Sequence, residues 1–362
     1  MGGDRVTNTD GDTAPGDDAS KRPNRRGNRR PTMEDVAARV GVSRALVSVV
    51  FRDAPGASPQ TRARVLRAAE EIGYRPDVAA RTLASSRSRV LGVMLTVHNA
   101  FHADLVEAVY TEAELVGYDV LLSAHARTRH TEKAVGALLG HRCEALILLG
   151  PETTTDFLGE VVERVPVVSV GPRFPGVHVD TVRTAEGRAT RQALDHLGGL
   201  GHRDITHLDG GTGAGSAERR RAYRDWMRRR GLADRVRVLP GDHTESSGAE
   251  AAHRLLAEGR VPTALFASND RSAIGFLDAI TRAGVRVPED ISLVGFDDIP
   301  LARLAHIQLT TVRQDVQGLA RAAVRAAIDR LASPDLPPRV SVLEPELVVR
   351  GTTAAPRAAG TC

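Results

Sequence analysis

The spacing of apolar residues divides the chain into three stretches. Residues 1–31 show no apolar periodicity, only Asp, Asn, Gly, Pro and Arg in succession, which predicts a disordered tail. Over residues 32–76 apolar side chains return every three or four positions. Val36, Ala37 and Val40 form one stripe, Leu46, Val47, Val50 and Phe51 a second, and Val65, Leu66, Ala69 and Ile72 a third. This spacing predicts three short amphipathic helices. From Val90 the apolar residues gather instead into runs of strand length: VLGVMLTV, YDVLLS, EALILLG, PVVSVG, DITHLDG, VRVLPG, TALFAS and DISLVGF. Helical stretches separate most of these runs, including 103–115, 185–200, 217–230, 247–258, 271–283 and 316–331. Strand and helix in alternation predict an α/β core of two doubly wound parallel sheets. Ligands of such sheets sit beyond the carboxyl ends of the strands.

Local signals place the helix ends. Thr32 can cap the first helix, with Asp35 three residues on as a capping-box partner. Gly41 suits the left-handed turn that ends it. Ser43 is a second N-cap, and Ser58-Pro59 starts the third helix. Two short helices about a glycine turn, braced by a third, make a helix-turn-helix unit. The second helix turns Arg44, Ala45, Ser48 and Arg52 away from its apolar stripe. An arginine at the start of such a helix can give two hydrogen bonds to a guanine, and small neighbours allow close approach. The plainer reading is a three-helix bundle that binds nothing. Asp77 can cap a further helix through Leu83, too short to stand alone in water, inside a linker over 77–89.

Charge weighs against the plainer reading. Residues 1–20 hold one Arg against five Asp, and residues 21–89 hold 16 Lys and Arg against six Asp and Glu. The remainder is nearly balanced, at 32 against 34. A basic segment on a near-neutral body points to a polyanion as partner of the first part only. Cys143 and Cys362 are the only cysteines, too few for a disulfide framework or a cysteine zinc site. With no apolar run of membrane-spanning length and no secretory leader in the opening residues, a cytoplasmic protein is expected.

Three segments carry a resemblance to a known family. They are TMEDVAARVGVSRALVSVVFRD with SPQTRARVLRAAEEIGYRPDVAARTLASSRSRVLGV, then PTALFASNDRSAIGFLDAITRAGVRVPEDISLVGFDDIP, then LTTVRQDVQGLARAAVRAAIDRL. In order and spacing the chain resembles the LacI/GalR transcriptional regulators from about Thr32 to Thr352. The resemblance implies a dimer on palindromic operator DNA, a hinge helix, and a periplasmic-binding-protein-like core that takes a small carbohydrate-like effector between two subdomains. The expected partition is a tail over 1–31, the DNA-binding domain over 32–76, hinge helix and linker over 77–89, and the core over 90–355. Within the core, the N-terminal subdomain takes about 90–188 and 315–335, the C-terminal one about 189–313 and 336–355. The resemblance implies DNA contacts at Thr32, Ser43, Arg44, Ala45, Ser48, Val49 and Arg52, with Leu83, beside Ala80, wedging into the minor groove. It implies effector contacts at Phe101, His102, Arg219, Asn269, Asp270 and Asp297.

Several positions depart from the family pattern. Val49 and Leu46 stand where Arg and Thr are frequent, so the operator is expected to differ from the common one; packing of Val49 inward is the alternative. Gly171 replaces a frequent acidic residue and is followed by Pro172 and Arg173. The loop GGTGAGS over 210–216 is unusually glycine-rich. Arg173, counted among the effector contacts, and Arg219 together allow an anionic effector. Asp270 can equally cap the helix that follows it, and Asp298 is expected to be a turn residue. His98 and His102, four apart, lack a third ligand, so neither metal nor cofactor is expected. No catalytic constellation is readable, and GGTGAGS lacks the Lys-Ser/Thr of a phosphate loop, so an enzyme is not expected. A regulator with a degenerate pocket and a solute-binding protein are the rival readings.

Overall fold

The computed structural model describes residues 31–51, 54–75 and 87–357, which fall into two compact units divided after Ser86. Arg52, Ala80 and Leu83, residues 77–86 of the hinge segment, and residues 1–30 of the expected tail lie outside the described residues.

The first unit contains α1 (Met33–Val40), α2 (Arg44–Phe51) and α3 (Pro59–Glu71). Thr32 and Asp35 form the reciprocal capping box, and Gly41 closes α1 in the left-handed conformation at φ 73°. Ser43 Oγ accepts from Leu46 N at 3.2 Å, and Ser58 caps α3 ahead of Pro59. The inward stripes meet in a small core of Val36, Val40, Val47, Val50, Val65 and Ala69, with Phe51 edge-on to Tyr74 at 5.4 Å. Leu66, expected inward, is 47% exposed; Ala68 takes that place. The physical reason is angular. Positions 65, 68, 69 and 72 share one face of an α-helix, whereas 66 stands about 100° from 65. The Arg62 guanidinium donates to the Val50 and Ala54 carbonyls and ties α3 to the end of α2.

The second unit is built on two six-stranded sheets. The first sheet uses β1 (Val90–Thr96), β2 (Asp119–His125), β3 (Ala145–Leu149), β4 (Val167–Val170), β5 (Asp180–Thr184) and β11 (Val340–Leu343), in the order β11-β5-β4-β3-β1-β2, all parallel. The second uses β6 (Ile205–Leu208), β7 (Arg237–Leu239), β8 (Ala264–Ala267), β9 (Ser292–Asp297), β10 (Thr310–Arg313) and β12 (Glu346–Val348), in the order β12-β10-β9-β8-β6-β7. It is parallel except for the β10–β12 pair. Helices α4 (Ala100–Leu115), α5 (Thr131–Gly140), α6 (Thr155–Val162) and α11 (Val316–Ala332) cover the first sheet. Helices α7 (Glu186–Gly199), α8 (Ser216–Arg229), α9 (Glu245–Ala257) and α10 (Asp270–Arg282) cover the second. The central strands are apolar throughout, Ala145–Leu149 being buried at every position, because helices pack on both faces.

The chain passes between the sheets after β5, after β10 and after β11. One stretch of the core lies in the other lobe from the one expected. Residues 340–343 pair with β5 in the first sheet, although 336–355 was assigned to the C-terminal subdomain. As an edge strand β11 is exposed at Val340 and Val342, so no buried run announces it. The loops at the carboxyl ends of β1, β3, β4 and β5 face those after β6, β7, β8 and β9 and leave a cleft.

Candidate functional site

Two places hold the chemistry. The first is the outer face of α2. Arg44 and Ala45 are exposed at its start, and the Arg44 guanidinium stands 3.4 Å from Glu34, with both side chains more than 60% open to solvent. Ser43 is exposed but its hydroxyl caps α2, and the Thr32 hydroxyl donates to Asp35 at 2.7 Å. Ser48 and Val49 are half-buried. Val49 lies against the loop that leads to α3: a Cβ on Gly56 would stand 3.7 Å from Val49 Cγ1.

The second place is the cleft of the core. Phe101, His102, Arg219, Asn269 and Asp297 all line it. Asp270 and Arg173 do not. Asp270 is fully buried and accepts from Ile299 N and the Thr311 hydroxyl, so it braces β10 and the loop after β9. The cap of α10 is Asn269, whose Oδ1 accepts from Ser272 N at 3.0 Å. Arg173 is exposed on a separate groove beside Phe174 and Val340. Asp298, expected to be a turn residue, is a buried ion-pair centre for Arg303, Arg313 and Arg350.

The cleft closes on small residues. A Cβ on Gly150 would come within 3.4 Å of Ala214 Cβ, and Gly171, at φ 115°, faces the same methyl group. The cleft holds a cavity of about 50 Å³, far below the roughly 300–1,000 Å³ of small-molecule sites. Admission of anything sugar-sized therefore requires the two sheets to swing apart. Two contacts span the opening: Arg183 of β5 with Glu218 of α8, and Arg271 of α10 with the His98 carbonyl.

Sequence reasoning missed several lining residues. His243, beyond β7, adopts φ 67° and fixes its Nε2 between the hydroxyls of Ser216 and Ser268 at 3.1 and 3.0 Å. The glycine-rich loop wraps this ring. A Cβ on Gly210 would lie 1.9 Å from His243 Nε2, and one on Gly213 2.5 Å from Nδ1. Two of the loop's four glycines thus make room for this histidine; Gly211 and Gly215 take positive φ, Gly211 against the Gly241 carbonyl and Gly215 against Arg219 and Glu186. Glu186, Arg183 and Gln314 also line the cleft; the first two sit around β5, a strand whose DTVRT has no apolar run.

Burial sets the protonation of the site. His102 and His243 are pushed down to about 4 and about 3 by desolvation, so both are neutral. His102 Nδ1 accepts from Thr96 N at 3.0 Å, which leaves the proton on Nε2. Asp297 is pushed up to about 7 by desolvation, against the pull of Arg219 and a 2.7 Å hydrogen bond donated by Gln314. Asp297 and Asp298 hold φ of 114° and 60°, two successive non-glycine residues in the left-handed region. Such backbone costs about 1–3 kcal/mol per residue and collects at ligand sites. Arg219 is buried: it donates to the Ser268 and Ala214 carbonyls, its Nε stands 3.1 Å from a Glu186 carboxylate oxygen as an ion pair without a hydrogen bond, and its guanidinium lies 4.1 Å over the Phe296 ring.

A helix-turn-helix unit and a two-lobed core closing on a polar cleft, carried on one chain, define a DNA-binding transcriptional regulator of periplasmic-binding-protein-like build. Residues 32–77 match the model of bacterial regulatory proteins of the lacI family, and residues 194–353 match the periplasmic binding protein-like domain. The regulator CelR of Thermobifida fusca is 33% identical over 337 residues, covering 89% of this chain and 98% of the relative. The regulator AscG of Escherichia coli is 31% identical over 333 residues, covering 90% and 99%. Among solved structures, the lac repressor dimer bound to operator and an anti-inducer superposes with a TM-score of 0.78 at 29% identity, covering 90% of this chain and all of the other. The chain belongs to the LacI/GalR family of transcriptional regulators. Among the described residues no helix is long and apolar enough to cross a membrane.

Proposed function

We propose that this regulator is a homodimeric repressor that binds a palindromic operator and releases it when a neutral, sugar-sized effector enters the cleft. The observation that carries the choice of effector is the pairing of the cleft cations. Arg219 is taken up by Glu186 and two carbonyls, and Arg183 by Glu218. Arg173, the other cation that would favour an anionic effector, faces a different groove. The other polar groups of the cleft are an acid and neutral groups: the Asp297 carboxylate, whose one hydrogen bond comes from Gln314, the Asn269 amide and two neutral imidazoles. A rigid acceptor pair of this kind selects vicinal hydroxyls, because an analogue without them leaves buried groups unpaired. A CelR–cellobiose complex, at 30% identity and a TM-score of 0.66, supports the sugar reading.

In this reading the protein catalyses nothing, needs no cofactor, and works in the cytoplasm. DNA affinity and cleft occupancy are linked by a coupling free energy of about 1–3 kcal/mol. The test has two parts. Selection from a random DNA pool at one stated salt concentration should enrich a palindrome, reflecting the two-fold symmetry of a dimer. A thermal-shift screen of neutral sugars and their phosphates should then return neutral hits that lower affinity for that palindrome. Hits confined to phosphorylated or acidic sugars would overturn the neutral effector; no hit at all would favour a pocket that has lost its ligand.

A further inference from the structure

The core carries a second concavity besides the cleft. It is a groove of about 510 Å³ between α7 and α8, on the second sheet's helical face. That size lies within the range of small-molecule sites, about 300–1,000 Å³. Its floor is Trp226, the only tryptophan of the chain, buried to 5% exposure. The indole N–H donates to Asp195 at 2.8 Å, and the Arg230 guanidinium stacks 4.4 Å over the ring while pairing with the same Asp195 oxygen.

The charges of the groove do not cancel. Each of its carboxylates already has a cation: Asp195 has Arg230, Glu218 has Arg183, and Asp225 has Arg228. Arg191, Arg221 and Arg229 also line the groove, and none has an ion-pair or hydrogen-bond partner among the described residues. Arg229 sits in the last turn of α8, where the helix dipole alone favours a cation. Arg191 in mid-α7 and Arg221 in the first half of α8 have no such reason. Their natural salt-bridge positions four residues on, Asp195 and Asp225, are occupied by others.

We propose that this groove is a second ligand site, distinct from the cleft, for a small anion bearing at least two phosphate-type groups. Arg191, Arg221 and Arg229 would bind its oxygens, since guanidinium forks match phosphate geometry. Glu218 at one end of the groove is also the partner of Arg183 in the cleft, so the two sites share an ion pair.

Trp226 supplies a reporter in place. The full chain is titrated with inorganic pyrophosphate at constant ionic strength while its single-tryptophan emission is followed. A saturable change is expected, at least about tenfold weaker in Arg191→Gln/Arg221→Gln, a loss of about 1.4 kcal/mol. Both side chains are exposed, so the variant should keep the thermal midpoint of the parent and its DNA binding. It also keeps every charge of the basic N-terminal segment. A response surviving unchanged in the variant would assign the binding elsewhere. The same response to sodium chloride, or none to pyrophosphate, would also overturn the site.

Discussion

The carboxylate of Glu186 stands 3.1 Å from the Arg219 guanidinium, and both side chains are buried in the wall of the cleft. Two ions in low dielectric hold each other in place, and loss of either strands the other. Burial pushes the Glu186 carboxyl up from its ordinary value, and Arg219 is the main opposing influence. Arg219→Ala is therefore expected to cost about 3–5 kcal/mol in urea unfolding. Replacing both charges, as Glu186→Gln/Arg219→Met, should cost less than Arg219→Ala alone. Equal or greater loss in the double variant would show that the two groups do not compensate each other.

Asp297 predicts a pH dependence of definite sign. Its carboxyl rises from 3.8 to about 7 on folding, so the folded state holds the proton more tightly than the unfolded chain. The contribution to stability is fully present below pH 3.8 and is lost as pH rises through about 7. The loss runs at about 1.36 kcal/mol for each pH unit between the two values. Asp297→Asn removes this contribution. The variant should thus gain on the parent progressively from pH 4 to 7 and stay ahead by a constant margin above it. Effector affinity in the parent should rise over the same interval, since only the ionised carboxylate accepts from two hydroxyls. A stability difference flat across pH would refute the raised value.

Much of this was legible in the sequence, and the failures have physical causes. Helix caps at Thr32, Gly41 and Ser58 are local events written in single residues, and they stand where the sequence puts them. Buried runs such as Ala145–Leu149 announce themselves because helices cover both faces of the sheet. The strands that escaped are short or exposed at an edge: β5 with its central DTVRT, and β11 with Val340 and Val342 in solvent. Half-legible side chains were those whose role depends on a distant partner. Asp270 reads as a cap or a ligand, yet its carboxylate is satisfied by Ile299 and Thr311, about 30 and 40 residues away. Arg173 follows the same strand end as cleft residues, but the chain turns at Gly171 and takes it to another face. Nothing in GGTGAGS names His243, although Gly210 and Gly213 are fitted to it.

That fit can be tested with two glycines. Gly210→Ala would drive a methyl group into His243 Nε2, at 1.9 Å, and Ser216 Oγ, at 2.4 Å. Overpacking of this kind costs typically about 1–3 kcal/mol, and here it should displace the imidazole from the cleft. Effector binding should fall while operator binding in its absence persists. Gly136→Ala is the control. It lies exposed in α5 with nothing within 4 Å of the added methyl, so it should gain up to about 1 kcal/mol from helix propensity. If the two variants match in stability and effector affinity, the loop does not hold His243 by contact.

Arg44 decides what the DNA-binding unit reads. Its only ion-pair partner among the described residues is Glu34 at 3.4 Å, a surface contact whose loss costs little. The guanidinium is therefore available to a base at almost no expense to the fold. Arg44→Ala should leave the unfolding midpoint unchanged and weaken binding to the selected palindrome by about 1–3 kcal/mol. It should also relax preference at one base pair of each half-site, read by repeating the selection with the variant. Glu34→Gln should keep full affinity, because it frees the same arginine. A uniform loss over all sequences, with a shallower salt dependence and no relaxed position, would instead make Arg44 a phosphate contact and move the reading of bases to its neighbours on α2.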